Sequence, residues 1–207
     1  MGLTFFNRRG GGGSDQPKFA AIQQVRAYWE GLRDGPALPQ RDRIDPRGIA
    51  DALEQVFLVE RIAPGHARFR LAGMHLHDLT GMEVRGMPMT ALFAPDARAR
   101  FSEAVEQVFT GPCVLDLWLE AERGLGKPAL EGRLILLPVT GTKGEPDLAL
   151  GCLATVGAIG RGTRRFAISG QVREPLQVAR AAPVEDGFAQ RPPRGVPHLR
   201  LVSSREG

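Results

Sequence analysis

The chain is poor in the residues that cross-link or anchor small proteins: it has two cysteines, two tryptophans and one tyrosine in 207 residues. Cys113 and Cys152 each lie in an apolar run, and two isolated cysteines make neither a disulfide framework nor a zinc site. No apolar run reaches the ~18 residues that a membrane-spanning helix needs. We therefore expect two buried thiols in a cytoplasmic protein.

Basic and acidic residues are unevenly distributed along the chain. The formal net charge is +4, but residues 161–207 alone hold nine arginines and four acids, a net charge of +5, which leaves −1 for residues 1–160. A near-neutral main region argues against a nucleic-acid groove on its surface.

Apolar periodicity divides the chain into three regions. Gly10–Gly13 and Ser14 predict a flexible N-terminus over residues 1–17. Residues 18–160 predict an α+β domain: a five-stranded antiparallel sheet with short helices and one longer helix on one face, preceded by an N-terminal helix. Prolines and arginines predict a mostly disordered tail over 161–207. The longer predicted helices are 18–33, 46–53 and 96–110, and the strands are 56–62, 67–71, 113–120, 130–139 and 148–156.

Several short motifs lie in fixed order along these elements: Tyr28-Trp29, Leu38-Pro39, Ile44-Asp45-Pro46, Phe69–Gly73, Leu79-Thr80-Gly81, Leu92-Phe93 and Leu136-Leu137-Pro138. Together with the element order, they resemble a family of stand-alone bacterial PAS proteins, first catalogued as a domain of unknown function. The resemblance covers about residues 20–157. It implies the PAS fold and a regulatory module whose ligand is generally not known.

Four of the five methionines lie between residues 74 and 89. Flexible, polarizable methionine side chains adapt to variable ligands, but they also fill loosely packed cores. The first alternative predicts a ligand pocket between helices and sheet. Its lining residues would be Met82, Met87, Met89, Phe101, Val105 and Trp118. Strand alternation makes Trp118 the weakest member, because it shares a side with Asp116 and Glu120.

Tyr28 and Trp29 lie on the predicted N-terminal helix, and two interpretations are open. The aromatic side chains either pack on the domain's own sheet or also form a face for a dimer or a signalling partner. The second interpretation follows from the resemblance, since a helix that precedes a PAS core often serves as the association surface.

The histidines and cysteines give little support for cofactor chemistry. His75 and His77 suggest haem or metal, but no third ligand lies close in sequence. Haem-binding PAS domains commonly take a histidine from the long helix, and 96–110 contains none. A flavin photosensor needs a cysteine in an early helix, whereas Cys113 and Cys152 fall on late strands. We expect no cofactor or metal.

The sequence therefore predicts a cytoplasmic signalling module, not an enzyme, without an output domain of its own. It would act by protein–protein interaction, with or without a small ligand. No arrangement for nucleophilic catalysis is present, since Ser102 and Glu103 are neighbours on a polar helix face. The alternative is a nucleic-acid-associated protein that binds through its arginine-rich tail.

Overall fold

The computed structural model describes residues 18–142 and 144–177, and it contains one six-stranded antiparallel sheet with helices on both faces. The strand order is β2-β1-β5-β4-β3-β6. The α-helices are α1 (Ala20–Leu32), α2 (Met74–Thr80) and α3 (Arg98–Thr110). The strands are β1 (Val56–Ala63), β2 (His66–Ala72), β3 (Cys113–Ala121), β4 (Leu130–Val139), β5 (Leu148–Gly157) and β6 (Phe166–Pro175). Short 3-10 helices span Arg41–Arg43, Pro46–Gln55, Met89–Leu92 and Pro95–Ala97.

The sheet separates two hydrophobic cores, because the central strands β4 and β5 are buried on both faces. On the inner face, α2, α3 and the short helices near residue 90 cover side chains such as Phe57 and Leu117. On the outer face, α1 and the 3-10 helix Pro46–Gln55 cover Ile135 and Leu150. The continuous apolar runs of β4 and β5 follow from this double coverage.

The predicted PAS-like α+β fold and most of its elements are confirmed. The helix predicted over 18–33 is α1, and the one predicted over 96–110 is a 3-10 turn, Pro95–Ala97, followed by α3. Asp45 caps the helix that begins at Pro46, because its carboxylate accepts a hydrogen bond from the Arg47 amide at 2.9 Å.

The predicted strand number was wrong, and so was the start of the predicted tail. A sixth strand, Phe166–Pro175, pairs antiparallel with β3 over its whole length. It was missed because it is an edge strand: apart from Phe166 its side chains are exposed or half-buried, so its composition looks like that of a solvated tail. The predicted flexible N-terminus and the remainder of the tail, residues 178–207, lie outside the described residues.

None of the helices within residues 18–142 and 144–177 is long and apolar enough to cross a membrane.

Candidate functional site: an inner cavity and an outer-face patch

A cavity of about 160 Å³ lies at the inner face, between β2 and the loop that follows α2. Its apolar wall includes Phe69, Val84 and Leu92. Met82 and Met87 also line it, so the structure brings two of the predicted pocket residues together. The space is comparable with a ~150 Å³ protein cavity that holds one benzene ring.

Two glycine-dependent turns shape the cavity wall. Gly81 ends α2 in the left-handed conformation, with φ at 73°, and its amide donates to the His77 carbonyl at 2.7 Å. The chain then runs beside β2, where the Gly86 amide donates to the Phe69 carbonyl at 2.7 Å. This second contact holds the methionine-bearing loop against the edge of the sheet.

The polar groups of the cavity are basic or neutral. Arg98, Arg165, Thr80 and Thr163 line it, and none of the described lining residues is acidic. Neither arginine forms an ion pair with another described residue. Thr163 closes the wall by donating its hydroxyl to the Thr80 carbonyl at 2.9 Å. The cavity thus combines an apolar floor with two guanidinium groups.

The other predicted pocket residues lie elsewhere. Met89, Phe101 and Val105 are fully buried in the inner core and do not line the cavity. The assignment of Trp118 to this pocket was wrong, because the alternation of β3 turns Leu117 and Leu119 inward and Trp118 to the outer face.

Arg164 anchors the segment that completes the cavity, although no sequence motif singled it out. Its side chain is 0% exposed. The guanidinium donates to the carbonyl oxygens of Ile159 (2.5 Å), Pro128 (2.7 Å) and Glu122 (3.1 Å). The Arg164 amide donates to the Leu79 carbonyl at 2.7 Å. Burial lowers the pKa of Arg164, and the negative charge of Glu122 offsets part of that shift.

Part of the outer face, beyond the edge of α1, presents apolar side chains to solvent. Trp118 is 38% exposed, and Val156 and Val172 are also exposed. The Arg133 guanidinium lies 5.1 Å from the centre of the Trp118 ring. Two hydrogen bonds from Arg133 to the Asp116 carboxylate, at 3.0 and 2.6 Å, fix that guanidinium and raise the pKa of Arg133. We call Trp118, Arg133, Val156 and Val172 the tryptophan patch.

The predicted partner face of Tyr28 and Trp29 was wrong for Trp29, which is 0% exposed. Its indole packs between α1 and the sheet and donates to the Pro138 carbonyl at 3.0 Å. Tyr28 is half-buried, and its hydroxyl exchanges hydrogen bonds with the main chain of Asp45, at 2.7 and 3.0 Å. Both aromatic residues therefore hold α1 on the domain's own structure.

The described histidines and cysteines do not come together in one site. Among the described residues, no three His, Cys, Asp or Glu side chains are placed to hold a metal ion. His75 is half-buried, with its Nε2 3.1 Å from the Thr155 hydroxyl, and burial lowers its pKa. Cys113 and Cys152 are buried free thiols in different cores. Burial raises both pKa values, that of Cys152 to about 12, which suppresses nucleophilic thiolate.

Comparison with known proteins gives a family match over most of the described chain. Residues 18–154 match the sequence model of a family described as PAS domain. No curated protein matches the chain. A crystal structure of the LOV protein of Rhodobacter sphaeroides is 20% identical, with a TM-score of 0.39, over 68% of this chain and 69% of that one. The light-state structure of the blue-light photoreceptor Aureochrome1 LOV is 14% identical, with a TM-score of 0.37, over 54% and 88% of the two chains. The family match spans well over half of the sequence, and the chain therefore belongs to the PAS domain family.

Proposed function

We propose that this PAS domain is a non-catalytic regulatory module that binds a small anionic ligand in the inner cavity and a signalling partner on the tryptophan patch. PAS domains are sensory and regulatory modules, and the proposal specifies which surfaces serve those two roles here. The two sites lie on opposite faces of the sheet, so neither blocks the other.

The composition of the cavity supports the ligand class. Its volume suits one ring or a short chain. Arg98 and Arg165 supply positive charge without an acidic partner among the described residues, and a carboxylate between them would form charge-assisted hydrogen bonds. The hydroxyl protons of Thr80 and Thr163 are already donated to main-chain carbonyl groups, so the two guanidinium groups would be the donors for that carboxylate.

One observation carries the proposal: the chain passes directly from the cavity wall to the strand beside the tryptophan patch. Thr163 and Arg165 line the cavity, and Phe166 begins β6. Four residues later, Gly170 is the β-sheet partner of Trp118. A ligand that repositions Arg165 would therefore shift β6, and with it the surroundings of Trp118. Such a ligand acts by binding one arrangement of β6 more tightly than another.

The tryptophan patch has the composition of an interaction surface. Tryptophan and arginine are the residues that most often dominate binding energy at protein interfaces. The ion pair with Asp116 also pre-orders Arg133, which reduces the entropy lost on binding.

Affinity capture with the full chain as bait tests the docking role. The matched baits carry Trp118→Ser in the patch and Leu125→Ser in the β3–β4 hairpin, where Leu125 is fully exposed. A captured protein counts as a partner whether it is a different protein or a further copy of this chain. We expect such a partner to be lost with Trp118→Ser and kept with Leu125→Ser. Partners retained equally by both variants would show that the patch is not the docking surface.

A further inference from the structure

A second apolar depression, which we call the outer groove, lies on the outer face of the sheet, away from both the cavity and the tryptophan patch. It has a volume of about 300 Å³. The 3-10 helix Pro46–Gln55 forms one side, and the ends of β1 and β2 form the other. Its principal lining residues are Ile44, Ile49, Leu53, Val56, Leu58 and Leu71. Leu53 and Leu71 are 46% and 52% exposed, so the groove presents large apolar side chains to water.

From the shape and chemistry of this groove, we propose that residues Leu3–Phe6 of the same chain dock in it. A cavity of ~150 Å³ takes one benzene ring, so the outer groove has room for two ring-sized groups. The first nine residues contain Met1, Leu3, Phe5 and Phe6, and the two phenylalanines are followed by Asn7, Arg8 and Arg9. Phe5 and Phe6 would supply those two rings, and their burial would also cover Leu53 and Leu71.

The tether between this segment and the domain has a suitable length. Lys18, the first described residue, shares a surface pocket with Asp51 and Gln55 of the 3-10 helix that forms the groove wall. That helix has ten residues, which span at most ~20 Å at the 3-10 rise. Eleven residues, 7–17, connect Phe6 to Lys18, and a glycine-rich chain of that length has a root-mean-square span of ~18 Å. A tether whose span matches the separation gives effective concentrations in the millimolar range.

Charge fixes the orientation of the segment. Arg8 and Arg9 follow the two phenylalanines directly. Asp51 and Glu54 are exposed on the 3-10 helix, and neither forms an ion pair with a described residue. Arg41 also lines the groove. Because like charges repel and opposite charges attract, docking of residues 3–6 would place Arg8 and Arg9 beside Asp51 and Glu54 and away from Arg41.

Docked in this way, residues 3–6 would compete with any other protein that binds the outer groove, because that protein must first displace them. This inference depends on neither the ligand nor the partner proposed above, because the groove shares no lining residue with the cavity or the patch.

Paramagnetic relaxation in the full-length chain tests the proposal. A nitroxide is attached at Gly2→Cys, while Cys113 and Cys152 stay unlabelled because they are buried. We expect the label to broaden the amide signals of Leu53 and Leu71. Replacing both rings, Phe5→Ser with Phe6→Ser, should abolish that broadening.

Variants of the groove and a mixed sample complete the test. Leu71→Gln should also remove the broadening at Leu53, whereas the matched Leu125→Gln should leave it unchanged. Broadening that persists in the Phe5→Ser, Phe6→Ser chain would overturn the proposal, because proximity without docking would explain it. In a mixture of spin-labelled chains without ¹⁵N and ¹⁵N-labelled chains without a spin label, broadening of Leu53 would assign the groove to a second copy and overturn it as well.

Discussion

Replacing Arg164 by methionine should lower the free energy of unfolding by about 3 kcal/mol, because the buried guanidinium donates hydrogen bonds to three main-chain carbonyl groups. These belong to Ile159, Pro128 and Glu122. A hydrogen bond contributes about 0.5–1.5 kcal/mol net to stability, so three at about 1 kcal/mol each contribute about 3 kcal/mol. Methionine keeps most of the apolar stem, so the loss reports the hydrogen bonds and not a cavity.

Urea unfolding of the full chain measures this loss through the transition midpoint at constant slope. The matched variant is Arg165→Met, at an exposed neighbouring side chain, and it should change stability by less than about 0.5 kcal/mol. Arg164→Lys should fall between the two, because an ammonium group donates three hydrogen bonds but lacks the planar geometry of guanidinium. If Arg164→Met lies within about 1 kcal/mol of the wild type, water replaces the guanidinium and the anchoring role assigned to Arg164 is refuted.

Three further predictions concern the packing, the turn and the pH dependence. Trp29→Ala should cost about 3–5 kcal/mol in thermal or urea unfolding, because Trp29 is fully buried, whereas Trp118→Ala should cost about 1–2 kcal/mol; equal losses would contradict the two placements. Gly81→Val should cost about 1–3 kcal/mol, since valine is strained at φ 73°, and an unchanged melting temperature would refute that conformation. Burial lowers the pKa of His75 below its ordinary ~6.5, so the unfolded chain binds more protons and stability falls as pH drops from ~6.5 to the folded pKa. Unfolding midpoints measured against pH should lose this dependence in His75→Gln and keep it in His77→Gln, and a dependence that persists without His75 would assign it to another group.

The fold could be predicted from sequence wherever one periodicity dominates. The helical spacing of Ile22, Val25 and Trp29 identified α1, and the continuous apolar runs identified β4 and β5. Strand β6 could not be found this way, because an edge strand with one exposed face gives only a weak apolar signal. Its partner in the sheet, and not its own composition, determines that it is a strand.

The candidate site was predictable only in part. Two of the four clustered methionines, Met82 and Met87, line one cavity, because the loop after α2 keeps these near neighbours in sequence close together in space. The prediction for Trp118 failed because sequence indicates that a large aromatic side chain will pack, but not on which face of the sheet. For Trp29, the structure selects the first of the two open interpretations, packing on the domain's own sheet. Arg164 could not be singled out, since its acceptors are main-chain carbonyls far apart in the chain.

A titration of the ¹⁵N-labelled full chain with benzoate tests most directly whether the cavity and the tryptophan patch are coupled. Benzoate combines one ring with a carboxylate, and benzyl alcohol is the neutral control of similar size. We expect the amides of Thr163 and Arg165 and the indole N–H of Trp118 to shift together along one binding curve, with a much weaker response to benzyl alcohol. The indole N–H of Trp29, hydrogen-bonded to Pro138 in the outer core, should stay in place. Cavity amides that shift while Trp118 does not would contradict the coupling, and no shift with benzoate, or equal shifts with the alcohol, would contradict the anionic ligand class.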